Sequence, residues 1–161
     1  MAEAAKKPAN PSLQKKSAAR VAAVQCLYTQ SFQDPQQTIA KQLKLLKERL
    51  HNNEGEQKLV VGRAVEPNYN LLESLLTGIA DNSEEINHRL QSSLKEEWAK
   101  ERMSPVLVAI MQCAIYELFF GKEIVPKIVI DEYCRITRMF FADAEVDFVY
   151  GALSALVQRY Q

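Results

Sequence analysis

Glu117 first invites a chemical reading, because it interrupts an otherwise apolar stretch. Between Ser104 and Phe120 only Gln112 and Glu117 are strongly polar. A carboxylate set in such surroundings can have a perturbed pKa and act as a catalytic acid. The reading favoured here is structural, with Glu117 capping a neighbouring element or reaching the surface. The other carboxylates fall mostly on polar helix faces or at helix starts. The two histidines, His51 and His88, have no metal-ligand companion three or four residues on. The five glycines are scattered, with no dinucleotide fingerprint, P-loop or nucleophile elbow. No catalytic residue, metal site or cofactor is therefore expected, and the pattern fits a binding module.

Charge suggests the class of ligand. The 161 residues are formally neutral, yet residues 1–20 hold Lys6, Lys7, Lys15, Lys16 and Arg20 against Glu3 alone. Five cations against one carboxylate give that segment +4, so the remainder carries −4. A basic end on an acidic body suits contact with a polyanion, although it also suits a solubilising tail. Lys16 and Arg20, four apart, are expected to share a helix face away from the buried seam.

These residues must be positioned by helices. Glycine and proline are few, at 5 and 6, which suits long helices with short connections. Residues 1–11 read as a disordered basic arm, and residues 12–161 as one helical domain. The first helix spans about Leu13 to Phe32, with Val21, Val24, Tyr28 and Phe32 as its seam. A second follows Asp34-Pro35, burying Ile39, Leu43, Leu46 and Leu50 and leaving Lys41, Lys44 and Lys47 wet. Residues 51–66 read as loop. One helix, bent near Asp81-Asn82-Ser83, carries Leu72, Leu75, Ile79, Ile86 and Leu90, and Trp98 docks a short turn.

The central element is Ser104–Phe120. Ser104 is its N-cap, Pro105 its first helical residue, and Gly121 its left-handed terminator. A helix apolar nearly all round is buried on most sides, and this one is too short and too interrupted for a membrane span. Burial of Leu118 would make its truncation to alanine cost roughly 2–5 kcal/mol. Pro126 opens the next helix, with Val129, Tyr133, Ile136 and Phe140 on one seam and Ile130, Thr137 and Phe141 beside it. Asp143 is the expected N-cap of the last helix, which buries Val146, Val149, Leu153, Leu156 and Tyr160. Phe148 falls off that seam, on a stripe with Glu145, Ala152 and Ala155. It is either covered by a second neighbour or a contact for a partner.

Cys26, Cys113 and Cys134 lie in apolar helical patterns without CxxC spacing, and read as small core residues of a cytoplasmic protein. No apolar leader core follows the N-terminal lysines, so export by that route is not expected.

Taken in order, these motifs resemble those of the NusB family of bacterial transcription antitermination factors. The resemblance runs through Arg20, Ala23-Val24-Gln25-Cys26-Leu27-Tyr28, Leu75-Leu76-Thr77-Gly78-Ile79 and Trp98–Met103. It continues through Ala114-Ile115-Tyr116-Glu117-Leu118, the most specific match, then Lys127–Glu132 and Phe148-Val149-Tyr150-Gly151-Ala152-Leu153. It implies an all-α fold of about seven helices in two packed three-helix subdomains, and no enzymatic activity. It implies a pairing with NusE, a small-subunit ribosomal protein, on the single-stranded boxA element of nascent ribosomal RNA. Other antitermination factors and RNA polymerase would be engaged indirectly, with no membrane partner. Carried onto this chain, RNA contact falls to Lys15, Lys16 and Arg20, and partner contact to Tyr28 and Phe148.

Departures bear on strength. Ser17 and Ala18 replace two arginines expected in the family's first helix, and lysine offers a point charge where arginine offers a planar fork. Ala144 and Asp147 hold two of the positions just before Phe148 where the family often carries acidic and basic residues. Two other readings fit the same sequence: a helical protein–protein scaffold without RNA binding, and the NusB-like module of a ribosomal RNA methyltransferase.

Overall fold

The structure, a computed structural model, describes residues 11–30, 41, 44, 45, 47, 48, 66–94, 103–122 and 125–160. The arm at residues 1–10, the seam residues Ile39, Leu43, Leu46 and Leu50, residues 51–65 and Trp98 lie outside that set. Among the described residues six helices are complete. They are α1 Pro11–Gln30, α2 Tyr69–Asp81, α3 Ser83–Ser93, α4 Pro105–Phe119, α5 Pro126–Phe140 and α6 Asp143–Tyr160. No described residue is in a strand, and the fold is all-α as expected.

α4 is the hub, packing against all five of the others. Its start follows the expected chemistry: Ser104 Oγ accepts from the Val106 N–H at 3.2 Å, with Pro105 next in the first turn. Leu107, Ile110, Met111, Cys113, Ala114 and Ile115 are all buried. Leu118 is only half-buried, so its truncation costs less than that of Ile115. Gly121 does not take a left-handed conformation. Its role is a close approach: a Cβ there would sit 2.7 Å from the Glu117 carbonyl oxygen.

Three further expectations shift. α2 and α3 are two helices rather than one bent helix. Asn82 parts them, and its side-chain amide and backbone N–H both donate to the Gly78 carbonyl, at 2.8 and 3.1 Å. The apolar phase survives the break, with Leu72, Leu75, Leu76, Ile79, Ile86 and Leu90 all buried. Phe140, the last residue of α5, is exposed, because the chain leaves the helix there and half-buries Phe141 instead. Asp143 is the first residue of α6 rather than its cap. Its carboxylate still lies where the helix N-terminus favours negative charge.

Two side-chain devices tie the bundle together. The Tyr116 ring of α4 lies on Gly78 of α2, so that a Cβ on residue 78 would fall 2.1 Å from Tyr116 Cε1. The Arg89 guanidinium of α3 is held by Glu85 at 2.9 Å and sits over Phe119, Phe120 and Tyr160, 4.6, 5.6 and 4.2 Å from the ring centroids. Partly desolvated cation–π contacts of this kind each contribute about 0.5–2 kcal/mol.

Candidate functional site

α1 is not a helix with one buried seam. Every residue from Ala18 to Val24 is buried, because Ala18, Ala19, Ala22 and Ala23 let its neighbours approach closely from several sides. Arg20 sits in the middle of that run and is only 9% exposed. The expectation that Arg20 shares an outward face with Lys16 is therefore corrected.

The guanidinium goes to α4. Its Nε donates to Glu117 Oε2 at 2.7 Å and its Nη2 to Glu117 Oε1 at 3.0 Å, a bidentate pair between residues 97 positions apart. The Tyr133 hydroxyl of α5 also donates to Glu117 Oε2. Glu117 is 2% exposed and has both oxygens engaged. The carboxylate is structural, but it neither caps a helix nor reaches the surface: it is the buried counter-ion of Arg20. Arg20 Nη1 donates to Glu132 Oε2 at 3.2 Å, and the same oxygen accepts from Ser17 Oγ at 2.9 Å. Glu132 Oε1 accepts from Arg135 Nε at 2.8 Å and from its Nη2. One polar node thus joins α1, α4 and α5, although α5 is not among the helices that α1 packs along.

The electrostatics follow from that geometry. Burial works to lower the Arg20 pKa, but the Glu117 hydrogen bonds and charge, with Tyr133 and Glu132, outweigh it and raise it above the ordinary arginine value. Burial, then the Glu117 charge, pushes the Tyr133 hydroxyl well up. The same two causes in the same order push up the Cys113 thiol. All three cysteines are free thiols, with Cys113 and Cys134 buried and Cys26 partly so.

The other expected contacts are spread over the surface. Lys15 and Lys16 are exposed on the first turns of α1, and the Lys15 carbonyl accepts from the Asn68 N–H at 2.9 Å, tying that end to the start of α2. Tyr28, near the far end of α1, is 40% exposed. Phe148 is half-buried against the core, with Ala144 and Asp147 exposed beside it. Lys41, Lys44 and Lys47 are exposed, as their spacing suggested. Among the described residues no group of three His, Cys, Asp or Glu could hold a metal ion. No described helix is long and apolar enough to cross a membrane.

The sequence contained a signal for the node that the reading by seams missed. Arg20 is the one charged residue between Ser17 and Thr29, and Glu117 is the one charged residue in the central apolar run. Two lone charges of opposite sign in two apolar helices are natural partners.

An all-helical bundle built on one hub helix, cross-tied by a buried arginine–carboxylate pair, is the class of protein described so far. The NusB family's sequence pattern matches residues 17–158, and the chain belongs to the NusB family. Among its relatives is a protein of Gluconobacter oxydans named transcription antitermination protein NusB, 28% identical over 152 residues, covering 94% of this chain and 91% of that one. A protein of the same name from Bartonella tribocorum is 27% identical, covering 92% of this chain and 91% of its own. A solved structure of T. maritima NusB superposes with a TM-score of 0.63 at 22% identity, covering 88% of this chain and 89% of that one. These names are those of transcription factors and not of enzymes, and the family is non-enzymatic.

Proposed function

We propose that the protein is a cytoplasmic transcription antitermination factor that binds boxA-bearing RNA together with NusE. The supporting observation is the pair of exposed lysines, Lys15 and Lys16, on a helix whose next turns are locked into the body. A fixed helix presents charge to a phosphate chain with less ordering entropy than a free arm does. Tyr28 and Phe148 are the proposed NusE contacts. RNA polymerase and other factors are reached through that complex.

Arg20 enters this reading in a changed role. Its guanidinium is taken up by Glu117 and Glu132, so it holds α1 in place and the lysines meet the RNA. With Lys6, Lys7, Lys15 and Lys16 left as phosphate contacts, two to four neutralised charges give a single-strand salt slope of about −1.4 to −2.8. The test is titration of a boxA RNA at several salt concentrations, with and without NusE, using wild type and Lys16→Ala. Salt-sensitive binding that weakens on substitution and tightens with NusE supports the reading. Affinity indifferent to salt and to Lys16 would leave a protein–protein scaffold.

A further inference from the structure

Arg135 lies on α5, a helix that none of the expected RNA contacts occupies, yet the polar node brings it to α1. Glu132 is the bridge. One of its oxygens accepts from Ser17 and Arg20 of α1, and the other accepts from Arg135, so a single carboxylate separates the Arg135 guanidinium from α1. Lys16 directly precedes Ser17 and stands about one helical turn before Arg20, the two α1 residues that Glu132 holds.

The charges around this point are unequally placed. In the node Arg20 and Arg135 meet Glu117 and Glu132, and the exposed Lys15 and Lys16 directly precede Ser17 of that node on α1. Both carboxylates are tucked in, with side chains 1% and 16% exposed, while that of Arg135 is 50% exposed. The two carboxylates and Arg20 are therefore largely buried, and Arg135, with Lys15 and Lys16 on α1, carries the outer positive charge. Glu132 engages Nε and Nη2 of Arg135. The Nη1 amino group is left, and a carboxylate-anchored guanidinium is held in one orientation for a second oxyanion.

We infer that Arg135 is an RNA phosphate contact, extending the basic surface of α1 across the Glu132 bridge onto α5. Its partner is the backbone of single-stranded RNA, and the inference rests on the reading that Lys15 and Lys16 bind RNA. Glu132 is then a positioning residue, setting the guanidinium beside α1 without touching RNA.

The test compares wild type, Lys16→Ala, Arg135→Ala and Arg135→Lys on one fluorescent single-stranded boxA RNA across a salt series, with thermal melts of each. Losing one phosphate contact reduces the slope magnitude by about 0.7, which is roughly a fivefold loss of affinity at 0.1 M salt. Arg135→Ala should show both changes with its melting temperature near that of wild type, and Arg135→Lys should keep the slope. Normal binding by Arg135→Ala alongside weakened Lys16→Ala would overturn the inference and leave the α1 reading standing. Normal binding by both would remove that reading, and this inference with it. Weaker binding at an unchanged slope, or in step with a lowered melting temperature, would make Arg135 a structural residue and overturn the inference equally.

Discussion

Arg20 and Glu117 hold each other through two hydrogen bonds, at 2.7 and 3.0 Å, inside a core that excludes water from both. Removing one partner strands the other's charge. Arg20→Ala or Glu117→Ala should each cost about 3–5 kcal/mol in urea unfolding. Replacing the group as a whole, with Arg20→Met, Glu117→Leu and Tyr133→Phe together, should give a protein more stable than either single variant. A triple variant no better than the singles would mean that packing, and not charge, sets the cost.

Gly78 and Tyr116 couple in a second way. Gly78→Ala places a methyl group inside the Tyr116 ring position and should cost about 1–3 kcal/mol by overpacking. With Tyr116→Ala already present, the sign should reverse. The same change then gains up to about 1 kcal/mol from helix propensity. The two backgrounds are compared by denaturant midpoint.

Alkali should weaken the fold. Tyr133, Cys113 and Cys134 are all held above their ordinary values of 10.0, 9.0 and 9.0, chiefly by burial. A raised folded pKa means that the unfolded chain releases its protons first as pH rises, so stability falls above pH 9 to 10 and is unaffected by these groups below it. Melting temperature should fall as pH rises above about 9, and Tyr133→Phe should shrink that drop while lowering stability at neutral pH. An unchanged alkaline drop in the variant would exclude Tyr133 as a contributor.

Phe148 should carry partner affinity and some stability together. It packs against the core while remaining half accessible, so Phe148→Ala should cost about 1–3 kcal/mol in unfolding. Binding to NusE, measured well below the melting temperature, should weaken by about tenfold or more. Intact binding by the folded variant would assign the ring to the core alone.

Helix positions were legible because their signals are local. Ser104-Pro105 starts α4 as read, and the buried residues of α2, α3 and α6 follow the apolar spacing. What was misread depends on neighbours. Spacing alone puts Arg20 beside Lys16 on a polar face, and only the approach of α2 and α4 to α1, with the Glu117 carboxylate that α4 brings, shows otherwise. Phe140 satisfies its seam by periodicity but lies at the last residue of α5, where the chain turns away. Asn82 breaks a helix whose hydrophobic phase runs on unbroken, so phase could not reveal the break. Arg135 gave no signal at all, since its place next to α1 depends on which carboxylate α1 meets.

The node also orders events in time. Arg20 is synthesised early, but its acceptors Glu117 and Glu132 follow 97 and 112 residues later. At ordinary rates of translation, of about 5–20 residues per second, the arginine waits roughly 5–20 s for them. During that interval the alanine-rich turns of α1 have neither their hub helix nor a counter-ion to lie against. α1 is therefore secured late, and the segment proposed to meet RNA takes its final geometry only once α4 and α5 have been made.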